Sequence, residues 1–245
     1  MRSAVAVITG ALVLGCGGSA DPVVMTNPPR TNCPTQNLWE QQNGAWLQTH
    51  PRINLVFWGG YWLNGGLSEM QHYADSWLTL GNADAFYQPM QEYGIGTGTV
   101  NGVYNTNYNL GVGAISDTAI QQELLSEIAN GQLPAADPNH MSMYVVMLPP
   151  GTSSLQCISN CVAYHSYIDS SFTYQLIQYY NSDLNIVIAH EIYESATDPD
   201  SVNGYNGGPG DTEVGDYCVG NPYTLLGFTI QKVWSENACQ CIPAN

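Results

Sequence analysis

The chain has 245 residues, and its four basic and 20 acidic side chains give a formal net charge of -16. A protein this acidic repels phosphate backbones, which argues against nucleic-acid binding and suits solubility and cation binding outside the cell. Hydrophobic residues make up 44% of the chain and aromatic residues 11%, enough to bury a core, so the chain is predicted to be globular rather than disordered.

The N-terminus has the pattern of an exported protein. Arg2 precedes a short apolar segment that cannot span a bilayer, so residues 1–16 are predicted to be a signal peptide. Small residues before Cys16 and glycines after it are similar to a bacterial lipoprotein cleavage box, which predicts a lipid anchor at Cys16. An ordinary secretory signal is the alternative. Residues 17–45 are predicted to be a flexible tether and residues 46–245 a single domain, lipid-anchored to the envelope or cell surface, or otherwise extracellular.

The hydrophobic pattern predicts strands that alternate with helices. In chain order these are a buried strand at Ile53–Trp58, helices at Leu67–Leu80 and Ala83–Tyr93, a weaker strand or hairpin at Thr97–Leu110, an amphipathic helix at Asp117–Asn130, strands at Ser142–Leu148 and Phe172–Tyr180, a helix at Asn185–Ala196, and a short strand at Phe228–Trp234. This order predicts an α/β (α+β) domain of zincin-like type, with a twisted mixed sheet backed by helices and an irregular C-terminal part that bears disulfides.

Six cysteines remain once Cys16 is set aside. An even number in an exported chain predicts up to three disulfides, and their pairing stays open. The alternative is a zinc site made by four of these cysteines, namely Cys157, Cys161, Cys239 and Cys241.

The last predicted helix carries the motif His190-Glu191-x-x-Glu194. On a helix His190 and Glu194 project from one face about one turn apart. This is the geometry of the zinc-binding H-E-x-x-H helix of metallopeptidases, with Glu in place of the second His, and Glu191 takes the position of the general base. The motif therefore predicts zinc as the cofactor, with calcium as a second or alternative ion.

A hydrolytic zinc site needs a third protein ligand. The separation between Glu194 and Glu213 is close to that at which thermolysin-type enzymes supply a Glu, so Glu213 is the preferred ligand. Asp216 and Asp200 are the alternatives. Asp200 follows His190 at the spacing used by metzincins, although the tight turn of that geometry lacks its glycine here.

Two further features bear on the site. Asp198, Asp200, Asn203 and Asp211 hint at calcium, but they do not have the spacing of an EF-hand loop, and a solvated turn is the alternative. His165 could approach the cleft as a ligand or a substrate-side residue, and a structural role next to a disulfide is the alternative.

Several segments together resemble the plant EXORDIUM (phosphate-induced protein 1) family and its bacterial relatives. They are the strand Ile53 to Gly60, the Cys-x3-Cys segment Cys157 to His165, the H-E-x-x-E…T-D-P stretch His190 to Pro199, Glu213 to Cys218, and Val233 to Ser235 before Cys239. The match is collinear from about residue 50 to residue 241 and weak between 80 and 140. The resemblance implies an extracellular, wall-associated protein linked to growth responses, without a settled biochemical activity, and it favours Glu213 and Asp216 as site residues.

The sequence thus predicts an exported metal-dependent hydrolase, a zinc metallopeptidase acting on a peptide or cell-envelope substrate. His190, Glu194 and Glu213 would hold zinc, and Glu191 would activate water. The alternative is a non-catalytic envelope protein of EXORDIUM type that binds glycan or a protein partner, with a structural metal or none. A structural site would be closed by a fourth ligand such as Asp216 or His165.

Overall fold

The computed structural model describes residues 33, 39–40, 46–106, 113–157, 161–169, 171–180, 183–201, 203–206 and 212–243. The predicted signal peptide, the lipid anchor at Cys16, most of the predicted tether and Asp211 lie outside the described residues. Among the helices of the described ranges, none combines the length and the apolar character that a membrane span requires.

The described part of the chain contains both helices and strands. The α-helices are α1 (Tyr61–Asn64), α2 (Leu67–Leu80), α3 (Asp84–Tyr87), α4 (Asp117–Ala129) and α5 (Leu184–Thr197), with two 3-10 helices at Gln88–Tyr93 and Asp216–Cys218. The strands are β1 (Trp39–Glu40), β2 (Arg52–Trp58), β3 (Thr99–Thr106), β4 (Gly113–Ile115), β5 (Ser142–Met147), β6 (Thr152–Ser154), β7 (Ala163–Ile168), β8 (Phe172–Ile177), β9 (Tyr205–Asn206), β10 (Pro222–Leu225), β11 (Phe228–Gln231), β12 (Val233–Ser235) and β13 (Gln240–Ile242).

A five-stranded mixed sheet forms the centre of the fold, with strand order β3-β2-β5-β8-β7. Strands β3, β2, β5 and β8 run parallel, whereas the edge strand β7 runs antiparallel to β8. Strands β5 and β8 are buried along their whole length, as expected for parallel strands covered on both faces. The protein is therefore a mixed α/β fold, as the sequence predicts.

Helices cover the sheet on both faces because its strands are apolar on both faces. Ile53, Leu55 and Phe57 of β2 point into a core that includes buried residues of α2 and α5. Val56 and Trp58 point the other way, into a core that includes buried residues of α4. Helix α5, which carries the motif, thus lies on the same face of the sheet as α2, where it contacts β7 and β8.

Helix α5 is fixed at its start and along its length. Asp183 caps it by accepting a hydrogen bond from Asn185 N at 3.0 Å. Near its end, Gln175 Nε2 on β8 donates to Ser195 Oγ at 2.7 Å, which ties the helix to the sheet. The helix ends just before Pro199, in agreement with the prediction. The motif residues therefore sit on a helix held rigidly against the sheet.

The cysteines form three disulfides, Cys33–Cys239, Cys157–Cys161 and Cys218–Cys241. The predicted number of disulfides is confirmed. The alternative zinc site of four cysteines is wrong, because each of those sulfurs is already bonded to another sulfur. Three disulfides fit an oxidising, extracellular location.

The predicted elements differ from the structure in several places. The predicted helix Ala83–Tyr93 is α3 followed by a 3-10 helix whose first turn contains Pro89, a residue with no N–H to continue the α-helical pattern. The predicted strand Phe228–Trp234 is two strands, because β11 pairs with β10 and β12 pairs with β13. The sequence does not predict β7, which alternates poorly and carries His165.

Candidate functional site

The candidate site lies where α5, β7 and the segment before the 3-10 helix Asp216–Cys218 meet. Helix α5 supplies His190, Glu191 and Glu194, β7 supplies His165, and the later segment supplies Glu213. A cavity of about 310 Å³ opens onto all of these side chains. His165 is 6% exposed, Glu191 and Glu194 are 3% exposed and Glu213 is 5% exposed, so the ionisable groups lie at the buried floor of this cavity.

Glu194 lies between the two histidines. Its Oε1 is 3.1 Å from His190 Nε2, and its Oε2 is 3.8 Å from His165 Nδ1. Each histidine also faces a second acid from the later segment. Glu213 Oε1 is 3.6 Å from His165 Nε2, and Asp216 Oδ1 is 3.8 Å from His190 Nε2. The structure thus brings the predicted ligands His190, Glu194 and Glu213 into one cluster with His165 and Asp216, which the sequence analysis names as possible further site residues.

Two sets of three side chains within this cluster could hold a metal ion. They are His165, Glu194 and Glu213, and His190, Glu191 and Glu194, and within each set the ligand atoms lie within 4.8 Å of one another. Glu194 belongs to both sets. The sequence groups Glu194 and Glu213 with His190, whereas the structure groups them with His165.

The donor atoms of the cluster fit a divalent cation. Two buried carboxylate oxygens, Glu191 Oε2 and Glu213 Oε1, make no hydrogen bond, and a third, Glu194 Oε1, lies 3.1 Å from His190 Nε2. An unpaired buried acceptor costs about 1–3 kcal/mol, and more when it is charged, unless a proton or a cation neutralises it. Imidazole nitrogens and carboxylate oxygens are ligands for zinc and manganese, and carboxylates also suit calcium. The cluster therefore has the composition of a metal site, without selecting one ion.

The crowding of acids shifts the pKa values of the site upwards. Burial raises the pKa of Glu194 to about 7 against the opposing charge of His190, and burial together with Glu194 raises the pKa of Glu213 well above its usual range. Burial acts to lower the pKa of both histidines, but Glu194 raises that of His190 to about 10, and Glu191 and Glu194 raise that of His165. The site therefore attracts positive charge.

The segment that carries Glu213 is held in place by its neighbours. Glu213 forms an antiparallel bridge with Asn206, and Trp234 N donates to Val214 O at 3.0 Å. Within the segment, Glu213 N donates to Asp216 Oδ2 at 3.2 Å. These backbone contacts direct the carboxylate of Glu213 towards α5 without any help from a helix of its own.

Asp198 and Asp200, which follow α5, stabilise the turn after this helix. Asp198 accepts hydrogen bonds from Gly204 N at 2.8 Å and Asn206 Nδ2 at 3.0 Å. Asp200 accepts hydrogen bonds from Asn203 N at 2.9 Å and Asn203 Nδ2 at 2.7 Å. Neither aspartate belongs to the two sets of ligand atoms found among the described residues. Asp and Asn side chains therefore brace this turn, but Asp198 is fully buried, so the turn is not solvated throughout as the alternative predicts.

Two residues that no motif indicates also contact the site. Gln231, the last residue of β11, has its Nε2 2.8 Å from Gly215 O and 3.0 Å from His190 Nδ1. Ser201 Oγ lies 2.9 Å from His165 Nε2. Both residues come from turns and hairpins that reach the site only through the tertiary fold, so no local spacing in the sequence could have identified them.

No protein-family model and no curated protein matches this chain. The resemblance to the EXORDIUM family therefore stays a prediction. The geometry also yields a direct test of how tightly the site is packed.

Gly215→Ala is expected to weaken metal binding by about 10–100-fold, the range seen when groups that orient ligands are disturbed. A Cβ at this position would lie 2.8 Å from both Glu194 Oε1 and His190 Nδ1, so both side chains would have to move. The backbone itself tolerates alanine, since Gly215 has a φ of -77°. The measurement is a competition titration of zinc with a chromophoric chelator.

Gly60→Ala is the matched control for Gly215→Ala. Gly60 has a φ of -68°, and the nearest atom to an added Cβ would be Asn64 Nδ2 at an ordinary 3.7 Å. An affinity for zinc that is unchanged in Gly215→Ala would show that Glu194 and His190 are not held against this backbone when the ion is bound.

Proposed function

We propose that this protein is an exported metal-dependent hydrolase, a zinc metallopeptidase that acts on a peptide or a cell-envelope substrate. The observation that carries the proposal is the cluster of three buried carboxylates beside two imidazoles at the floor of an accessible cavity, in which Glu191 Oε2 and Glu213 Oε1 make no hydrogen bond. Catalytic metal sites combine such ligands with an open position for substrate. The zincin-like arrangement and the relation to the EXORDIUM family belong to the same proposal. They are supported by a motif helix packed under the sheet and by the collinear segments.

The ion is proposed to bind at Glu194 and Glu213 together with an imidazole. The sequence motif puts His190 in this role, and the structure adds His165 as a second candidate. A bound divalent cation would polarise the substrate carbonyl and lower the pKa of water. Two carboxylates with one imidazole make a harder ligand set than two histidines with one carboxylate, which keeps manganese and calcium as alternative ions.

Glu191 is proposed to act as the general base. It lines the cavity, and its Oε2 is free to accept a hydrogen bond from a water molecule that enters with the substrate. Proton transfer from that water to the carboxylate would produce the nucleophile. His165 Nδ1, at 3.5 Å from Glu191 Oε2, restricts where this carboxylate can point.

The wall of the cavity indicates how a substrate could be held. Ile186, Val187 and Val219 line it with apolar surface next to the ionisable floor. This combination suits a substrate with an apolar group beside the bond to be cleaved, because the apolar group is desolvated while the carbonyl reaches the polar floor.

A non-catalytic envelope protein that binds glycan or a protein partner is the second candidate. The observation that favours it is the number of possible ligands, since Asp216 and both histidines join Glu194 and Glu213 in one cluster. With four protein ligands the site would be closed, as structural zinc sites are, and no position would remain for substrate.

Elemental analysis and a cleavage assay on the same preparation test the proposal. Protein purified without chelator is expected to contain stoichiometric metal and to cleave a mixed peptide library, and to lose both properties after chelation and regain them with zinc. His190→Ala is expected to reduce both the metal content and the cleavage. His50→Ala, at an exposed histidine away from the cavity, is its matched control. Metal without cleavage would favour the non-catalytic candidate, and protein that binds no metal would overturn both.

A further inference from the structure

The hydrogen bonds around the two site histidines give them different roles. A neutral imidazole carries one N–H and one lone pair, and only the lone pair can bind a metal ion. A group that donates to one ring nitrogen therefore places the proton on the other. A group that accepts from one ring nitrogen leaves the lone pair on the other.

His190 faces a donor at Nδ1. Gln231 Nε2 lies 2.8 Å from Gly215 O, which can only accept, so the NH2 group of Gln231 must occupy this position. The other amide orientation would place two carbonyl oxygens against each other. The second hydrogen of the same NH2 group points to His190 Nδ1 at 3.0 Å. Nδ1 is then the acceptor, and the proton of His190 lies on Nε2, 3.1 Å from Glu194 Oε1.

His165 has the opposite arrangement. Its Nε2 lies 3.2 Å from the backbone oxygen of Asp198, which can only accept, and 2.9 Å from Ser201 Oγ, which can accept as well as donate, so Nε2 carries the proton. Its Nδ1 keeps the lone pair and faces Glu191 Oε2 at 3.5 Å and Glu194 Oε2 at 3.8 Å. Histidines that bind metal usually donate their other ring N–H to a backbone carbonyl or a carboxylate, as His165 does.

The region in front of His165 Nδ1 thus holds a lone pair and two carboxylates with no hydrogen between them. Such an arrangement is repulsive unless a positive charge lies between the groups. Glu213, whose Oε1 makes no hydrogen bond, belongs to the same set of ligand atoms as His165 and Glu194.

We infer that His165 is the imidazole ligand of the ion, together with Glu194 and Glu213, and that His190 is a positioning residue. The inference rests on the proposed metal-dependent function and specifies its ligands. His190 holds Glu194 Oε1 through its Nε2–H, which leaves Glu194 Oε2 directed towards His165. The motif helix therefore supplies one metal ligand and the general base, while the edge strand β7 supplies the imidazole.

Zinc affinity and the X-ray absorption spectrum of bound zinc test the inference on the full-length mature protein. His165→Ala is expected to lower the affinity more than 100-fold. His190→Ala is expected to lower it by about 10–100-fold, as for loss of an orienting partner, and His190→Gln, which keeps an N–H donor, is expected to restore most of it. The spectrum should show one imidazole in the wild type and still one in His190→Ala.

His190→Ala decides the question even if His165→Ala fails to fold, and thermal unfolding of the metal-free variants reports whether it does. Loss of the imidazole signal in His190→Ala would overturn the inference and leave the proposed function standing. Where His165→Ala folds, zinc binding at near wild-type affinity would overturn it as well. A wild-type protein that binds no zinc, manganese or calcium would remove the proposed function itself.

Discussion

Glu191→Gln is expected to lower turnover by roughly 10²–10⁴-fold, the usual contribution of a general base, while the protein keeps its metal. The substitution conserves shape but removes the basic carboxylate, so a water molecule can still bind but cannot give up its proton. Glu191 is 3% exposed and lies outside the inferred ligand set of His165, Glu194 and Glu213. The measurements are kcat on a peptide substrate and metal content by elemental analysis of the same sample.

Glu123→Gln is the matched control for Glu191→Gln, because Glu123 lies on α4, on the opposite face of the sheet, and should leave both properties unchanged. Retained turnover in Glu191→Gln would remove the base role. Loss of the metal instead would place Glu191 among the ligands, as in the set of His190, Glu191 and Glu194.

The sequence predicts well those parts of the structure that depend on local patterns of residues. The predicted strand at Ile53–Trp58 and the predicted helix at Asn185–Ala196 correspond to β2 and α5. The helical spacing of His190 and Glu194 places both on one face of α5, where their side chains meet. These features depend on backbone periodicity and on contacts within one or two turns, so they can be read from neighbouring residues.

The parts that the sequence does not predict arise from pairing between distant segments. His165 reaches the cluster because β7 pairs antiparallel with β8 at the edge of the sheet, and no local spacing links it to α5. Gln231 comes from the hairpin of β10 and β11, which lies far beyond the motif helix in the sequence. The separation between Glu194 and Glu213 predicts Glu213 as a ligand, but the tertiary fold decides which of the two histidines lies beside it.

Because contacts between distant segments decide which side chains meet, a motif alone can mislead about which residues bind a metal ion. H-E-x-x-E places an imidazole at the usual ligand position, yet whether that imidazole offers a lone pair is decided by what touches its other nitrogen. In this protein that contact is Gln231, held by Gly215 O. The chemistry of the motif is therefore set by residues outside it.

The metal-free protein is expected to lose stability as the pH rises from about 5 to about 8. Burial raises the pKa of Glu194 from 4.5 to about 7 and that of Asp198 from 3.8 to about 7. At pH values between the unfolded and the folded pKa of these groups, the folded state holds protons that the unfolded state has released. The free energy of unfolding therefore falls as the pH rises. A shift of this size corresponds to about 3 kcal/mol for Glu194 alone.

Thermal unfolding in chelator at several pH values between 5 and 8 measures this slope, and Glu194→Gln, which cannot ionise, should flatten it. Excess zinc is expected to reverse the slope, since a cation binds only the deprotonated ligands and stabilises the folded state by RT ln(1 + [L]/Kd). A melting temperature that rises with pH in chelator would show that the carboxylates are already neutralised by their neighbours. The cluster would then have no need of an ion. Stability that falls with pH would instead show that the buried carboxylates destabilise the metal-free site at neutral pH, and these are the groups that a cation would satisfy.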